Sequence, residues 1–150
     1  MKISVQREDF DLGAEVRAFS NPKIGAVASF VGVVREVGMT LEHYPGMTEN
    51  SIRKIIEEAQ GRWQVIDCVV IHRYGELKPT DQIVLVAVAS AHRADAFAAC
   101  EFIMDYLKTQ APFWKKEQTA QGARWVEARR SDDDAAARWS SDDQAAERRK

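Results

Sequence analysis

Lys108 and Lys115 are the residues whose setting best suits chemistry. Lys108 follows Phe97 and Met104 at i+11 and i+4 on a predicted helix over 92–110, so it continues an apolar facet. A lysine held against apolar surface is partly desolvated, which lowers its pKa and makes the amine a usable base or nucleophile. Between the two lysines runs Thr109-Gln110-Ala111-Pro112-Phe113-Trp114. Pro112 stops the helix, and the bend can return Lys115 towards Lys108. Lys116 falls on the other face of a strand and is set aside. The plainer reading is a snorkelling Lys108 and an exposed strand Lys115, and the general habit of lysines favours it.

Two further groups suit an anion. Ser90-Ala91-His92-Arg93 stands where a predicted strand gives way to a helix, and the free N–H groups of a helix N-terminus favour phosphate. The alternative there is a capping Ser90 with His92 and Arg93 solvated. Arg35 ends the run Phe30-Val31-Gly32-Val33-Val34-Arg35, where its fork of donors can hold a phosphate. Its alternative is an edge arginine paired with Glu36 or Glu42. Glu42 and His43, neighbours on a strand, face opposite ways, and Leu41–Met47 reads as a structural turn. His72 and Arg73 are likewise given structural roles. Cys68 and Cys100 show no ligand or redox spacing and read as buried free thiols in a reducing compartment.

The elements that must carry these groups read as follows. Lys2 to Gln6 alternates as a short strand, and Asp9 or Asp11 caps a short helix bearing Leu12, Val16 and Phe19. Ile24 to Arg35 is a buried strand, with Gly25 and Gly32 marking bulges or close backbone approach. Met39 to Tyr44 is a following strand. Thr48 is the expected N-cap of a helix presenting Ile52, Ile55, Ile56, Ala59 and Trp63 on one face, with Met47 and Ile52 as a hydrophobic staple. Val65–Tyr74 and Gln82–Ser90 form an antiparallel pair joined by a longer connection. Ala96, Cys100, Ile103 and Leu107 make the main stripe of the helix over 92–110. Lys115–Thr119 and Arg124–Glu127 are short strands around Gln121-Gly122.

The bulk properties set the class. A chain of 150 residues, 45% hydrophobic and 29% charged, fits one domain with a sizeable core. A net charge of -2 leaves no global field to recruit nucleic acid or a membrane surface. No run approaches the roughly 18 apolar residues of a membrane span, and the first residues lack a signal-peptide core, so a cytoplasmic protein is expected. From Ser131 to Lys150 there are six acidic and four basic residues and one large apolar side chain, Trp139. The expectation is a domain over 1–130 and a charged appendage over 131–150, helical or disordered.

Taken together, Leu41–Glu49 (LEHYPGMTE), His72–Leu77 (HRYGEL), Ser90–Arg93 (SAHR), Phe102–Glu117 (FIMDYLKTQAPFWKKE) and Arg124–Arg129 (RWVEAR) resemble the large, catalytic subunit of molybdopterin synthase. The segments occur in that family's order and cover nearly the whole chain up to about Arg129. The resemblance implies an α+β fold of the α/β-hammerhead type, mostly antiparallel, with two main helices. It implies a sulfurtransferase that builds the dithiolene of molybdopterin from cyclic pyranopterin monophosphate. The sulfur comes from a thiocarboxylate on the C-terminal Gly-Gly of a small ubiquitin-like subunit. The expected assembly is a homodimer of this chain with one small subunit at each end, a heterotetramer.

By the same resemblance Lys108 matches the lysine beside the thiocarboxylate and Lys115 the second active-site lysine. Arg35, His92 and Arg93 match residues that hold the anionic substrate. Arg129 matches an arginine contributed across the dimer, and Phe30 and Met104 match apolar pocket walls. Two anions must meet in such a site, which accounts for several fixed cations. No metal or redox cofactor is required. The family usually carries a longer loop than the Arg35-Glu36-Val37-Gly38 link found here. Other classes fit the same basic pocket: a non-catalytic module for a ubiquitin-like tail, or a binder of phosphorylated pterin. A cysteine-based sulfur carrier is disfavoured, because Cys100 sits on an apolar stripe.

Overall fold

A computed structural model describes residues 1–119, 122–126 and 130–140, with side chains described over 1–116 and 134–140. Strands β1 (Lys2–Gln6), β4 (Asp67–Arg73), β6 (Gln82–Ser90) and β2 (Ala26–Val33) form one sheet in the order β1-β4-β6-β2. Only the β1–β4 pair is parallel there, while β4–β6 and β2–β6 are antiparallel. Strands β5 (Gly75–Leu77), β3 (Met39–His43), β7 (Phe113–Thr119) and β8 (Gly122–Val126) form a second, antiparallel sheet in the order β5-β3-β7-β8. The helices are α1 (Leu12–Arg17), α2 (Met47–Arg62), α3 (Arg93–Thr109) and α4 (Arg130–Ala137), of which α2 and α3 are long. The class is α+β, mostly antiparallel, with two main helices, as expected.

The period-2 patterns explain the layering. Val84, Val86 and Val88 of β6 face the same core as Cys68 and Val70 of β4, beneath the α2 stripe of Ile52, Ile55, Ile56 and Ala59. From α3 come Ala96, Cys100, Phe102, Ile103, Met104 and Leu107. The other face of the sheet buries Val69, Ile71, Leu85 and Ala87 under Phe10, Leu12, Phe19 and Val31. With both faces covered, β6 reads as a continuous apolar run. Each fully buried branched side chain contributes about 1.5–3 kcal/mol.

Several local expectations change. Thr48 is not the N-cap of α2; Gly46, at φ 82°, holds that position, and its N–H donates to Glu49. Thr48 is buried instead; its hydroxyl oxygen accepts from the Tyr44 N–H at 3.0 Å and its O–H donates to the Pro112 carbonyl at 3.1 Å. Met47 is 56% exposed, so it does not staple Ile52. Within the connection expected after Tyr74, Gly75–Leu77 is a strand paired with β3. Asp11 does cap α1, accepting from the Ala14 N–H at 3.1 Å. The two glycines mark what their types suggest: the ladder shifts register at Gly32/Val33, and the backbone of Ala91 lies against Gly25.

Within the charged segment after Arg129, α4 packs beside α3, and Trp139 joins the main core at 1% exposure. Its ring meets Trp63 and Phe102 edge-on, and its indole N–H donates to Asp105 at 2.6 Å. Arg62 donates to the Trp139 carbonyl, and Arg138 bridges Glu101 and Asp105.

Candidate functional site

The ends of three elements meet where the two sheets join. α3 ends at Thr109 with Lys108 exposed in its last turn. The chain turns through Ala111 and Pro112, with the Pro112 carbonyl held by Thr48, and enters β7 at Phe113. The Phe113 ring stacks on His72, the last inward residue of β4, with centroids 3.7 Å apart and planes 19° from parallel. Alternation along β7 puts Lys115 on the Phe113 face, about 7 Å further on, and Trp114 and Lys116 on the opposite face. Trp114 there contacts Tyr44. The sequence preference for Lys115 over Lys116 therefore has a geometric basis.

His72 reports the electrostatics of this seam. Its pKa falls from the usual 6.5 to about 4. Burial is the main cause, the hydrogen bond to the Arg73 carbonyl opposes it, and the charges of Lys108 and His43 add to the lowering. The ammonium of Lys108 is thus close enough to act on a ring that Phe113 covers. His43, in register with Phe113 on β3, packs its ring on Tyr74 at 4.2 Å.

Arg35 lies at the same end of the first sheet. Val33 pairs with Gln82 at the start of β6, and Val34 exchanges backbone hydrogen bonds with Thr80 and Asp81. Since α3 runs back over β6 from Ser90, its Lys108 end also overlies the Gln82 end. No ion pair joins Arg35 to Glu36 or Glu42 among the described residues. The link after Arg35 is short and tight: Glu36 has φ 65°, and the Val37 N–H donates to the Arg35 carbonyl at 2.7 Å, a γ-turn. Phe30, 42% exposed, leans its ring over Gly32, where an added Cβ would come within 3.4 Å of it. Met104 is 8% exposed within the core below Lys108.

His92 and Arg93 are not in this group. They begin α3, and at 1.5 Å per residue the helix carries them roughly 22–24 Å from Lys108. Both are exposed. Ser90 does not cap the helix; it is buried, and its hydroxyl donates to the Gln64 carbonyl at 2.6 Å. His92 occupies the N-cap position without a side-chain bond to the helix. Arg129 lies outside the described residues. One chain therefore brings the ends of the elements that carry Lys108, Lys115 and Arg35 to one side, with Met104 one turn before Lys108 and Phe30 mid-strand opposite Val86, and leaves His92 and Arg93 at the far end of α3.

Cys68 and Cys100 are free and buried, with burial pushing both thiols up to about 12. That removes thiolate chemistry at neutral pH. Among the described residues no cluster of His, Cys, Asp or Glu could hold a metal ion.

Comparison with known proteins follows the same outline. The family profile described as "MoaE protein" matches residues 5–110. The molybdopterin synthase catalytic subunit of Ralstonia nicotianae is 64% identical, over 91% of this chain and 83% of that protein. That alignment spans 146 positions yet takes in 91% of the 150 residues here, so the relative has positions without a counterpart in this chain. Among solved structures, the molybdopterin biosynthesis MoaE protein of Burkholderia ambifaria superposes with a TM-score of 0.83 at 60% identity, covering 93% of this chain and 99% of that one. The molybdopterin synthase of Staphylococcus aureus gives a TM-score of 0.78 at 32% identity, covering 83% and 96%.

Proposed function

The chain belongs to the MoaE family and its activity is that of a molybdopterin synthase catalytic subunit, a sulfurtransferase; from this premise we propose that Lys108 and Lys115 are the reacting pair of a site completed by a second copy of the chain. The thiocarboxylated tail of the small ubiquitin-like subunit reaches Lys108, and the pyranopterin lies nearer Lys115. Arg35 holds the phosphate-bearing substrate from the same chain, between the apolar walls of Phe30 and Met104. His92 and Arg93 come from the other copy, as does Arg129.

The observation that carries this reading is the ring stack at the seam. Phe113 and the charge of Lys108 both bear on His72, which supports a shared site for the two lysine-bearing elements. Its chemistry follows from charge. A thiocarboxylate and a phosphate repel one another, and fixed cations in a partly water-excluded cleft offset that repulsion. The thiocarboxylate sulfur bonds to a side-chain carbon of the pterin as a carbon–oxygen bond there breaks; water then cleaves the acyl–sulfur bond, returning the tail as a carboxylate, and the Lys108 ammonium stabilises the oxyanion formed on the acyl carbon. Lys115, at the pterin end, is placed to move a proton.

The separation of His92 and Arg93 from Lys108 supports the two-copy arrangement. Phe30, on the face of edge strand β2 that carries α3, and Phe97 on α3 are both exposed and offer apolar surface for it. A cytoplasmic place of action belongs to the same proposal, supported by two free buried thiols. No helix among the described residues is long and apolar enough to cross a membrane.

Complementation tests the composite site. Lys108→Ala and Arg93→Ala proteins, each inactive alone, are unfolded together, refolded and assayed for dithiolene formation with the thiocarboxylated partner. Random pairing places one intact site in each mixed dimer, so about a quarter of wild-type activity should return. Activity no higher than that of the separate variants would rule out residues shared between copies.

A further inference from the structure

We propose that His72 is a positioning residue for the reaction: a neutral imidazole that fixes the departure of β7 from the end of α3, and with it the reach of Lys115. The proposal deepens the reading of Lys108 and Lys115 as the reacting pair and rests on it.

The site of His72 is built. Cys68 and Val70 precede it on the same face of β4 and lie in the core, so the ring stands where that apolar row meets the second sheet. Its strand neighbours on either side are Val5 and Val84, both apolar. Nδ1 lies 2.9 Å from the Arg73 carbonyl. A carbonyl only accepts, so Nδ1 carries the hydrogen and the neutral ring leaves its lone pair on Nε2. The titratable groups that weigh on the ring are Lys108 from α3 and His43 from β3, and both oppose its protonation.

What the ring holds is the entry to β7. Phe113 lies on it nearly parallel at 3.7 Å. On the other side of the bend, Thr48 binds the Pro112 carbonyl while accepting from the Tyr44 N–H. The backbone between Lys108 and Lys115 is therefore gripped at adjacent residues, by a hydroxyl on Pro112 and by an imidazole on Phe113. His43 and Tyr74 extend the ring cluster across the seam, and Phe113 is in register with His43. Since Lys115 shares the Phe113 face, a tilt of that ring changes where the Lys115 amine sits.

Histidine suits the task because it does two things in one volume. Phenylalanine can stack but cannot tether itself to the Arg73 carbonyl, and leucine does neither. Displacements of about 1 Å in an active site cost on the order of 100-fold in rate. Among the described residues, Arg35, His92 and Arg93, assigned to the anion, make no hydrogen bond, ion pair or ring contact with His72 or Phe113, so substrate binding should be spared.

The test compares His72→Leu and His72→Phe with wild type in the full chain with its thiocarboxylated partner. Folding is checked by circular dichroism, and His72→Phe serves if His72→Leu does not fold. One readout is the rate at which an amine-reactive acyl probe labels Lys115, with exposed Lys78 as internal reference. The other is steady-state dithiolene formation. Expected for His72→Leu are a change of about threefold or more in Lys115 labelling, a kcat lower by about 10- to 100-fold and a KM for the pyranopterin within about threefold. His72→Phe should recover a large part of the rate through the stack alone. Wild-type labelling with wild-type kcat in folded His72→Leu overturns the proposal and leaves the two lysines standing. A raised KM with unchanged kcat overturns it as well, because the residue then serves binding. Wild-type turnover in Lys115→Ala overturns the reading beneath it and the proposal together.

Discussion

Replacing Trp139 by alanine should cost about 4 kcal/mol of stability, and the contacts of the side chain set that figure. The indole is 1% exposed and meets Trp63 at 5.3 Å and Phe102 at 5.5 Å, both edge-on. Deleting a large aromatic from a packed core costs about 3–5 kcal/mol. The lost N–H bond to Asp105 adds about 1 kcal/mol at most, because Arg138 still donates to that carboxylate at 2.9 Å. Trp139→Phe keeps a ring in the slot and loses the donor, so it should cost about 1–2 kcal/mol. Urea unfolding followed by circular dichroism at pH 7 reads both. With a slope of about 2 kcal/mol per molar, Trp139→Ala should lower the midpoint by about 2 M. A midpoint within about 0.3 M of wild type would refute the docking of this segment onto α2 and α3.

Acid should weaken the fold through His72. Its folded pKa, about 4, lies below the ordinary 6.5, so between those values the unfolded chain binds a proton that the native ring refuses. Stability from this group is therefore full above pH 6.5 and is lost as pH falls towards 4, by about 3 kcal/mol; His72→Phe should flatten that part of the profile, and identical pH profiles for the two proteins would contradict it. Lys78-Pro79-Thr80-Asp81 forms a turn closed by the Asp81 N–H on the Lys78 carbonyl at 3.0 Å, with Thr80 at φ 78°. That position suits glycine, so Thr80→Gly should stabilise by about 1 kcal/mol, and a lower melting temperature would be the contrary result. Both thiols are buried with their pKa near 12, so a thiol reagent at pH 7 should modify neither until denaturant is added. A Cys68→Ala/Cys100→Ala double variant should retain dithiolene formation, and its loss would revive the cysteine route.

Much of the fold was legible because strong periodicity left few choices. Lys2–Gln6 is a strand at those bounds, and the stripe of Ala96, Cys100, Ile103 and Leu107 is the buried face of α3. What sequence missed were positions fixed by tertiary partners. Thr48 has the residue type of a cap, yet the Pro112 carbonyl and the Tyr44 N–H compete for its hydroxyl, and Gly46 takes the helix end. Gly75–Leu77 is too short and polar to announce a strand, and only the edge of β3 makes it one. Composition sees Trp139 as one apolar residue among charges; it cannot see the slot between α2 and α3.

The candidate site divides in the same way. Lys108 and Lys115 were chosen from an apolar facet and a proline bend, and their elements do converge at the seam. Phe97, on the same facet, is 64% exposed, so the facet is not a buried stripe at that end. His92 and Arg93 looked like part of one pocket because sequence carries no distance, whereas a helix of 17 residues separates them from Lys108. His72 was read as structural because a strand-end histidine carries no signal of its own. The signal lies in Phe113, remote in sequence, which stacks upon it.

The most direct measurement is dithiolene formation in a reconstituted mixture of the purified chain, its thiocarboxylated small partner and the pyranopterin precursor. Lys108→Ala should lower single-turnover rate by about 100- to 10,000-fold, and Lys115→Ala should also fall well below wild type. Lys116→Ala, on the opposite face of β7, should stay near it. Wild-type product formation by a folded Lys108→Ala protein would contradict the account at its centre.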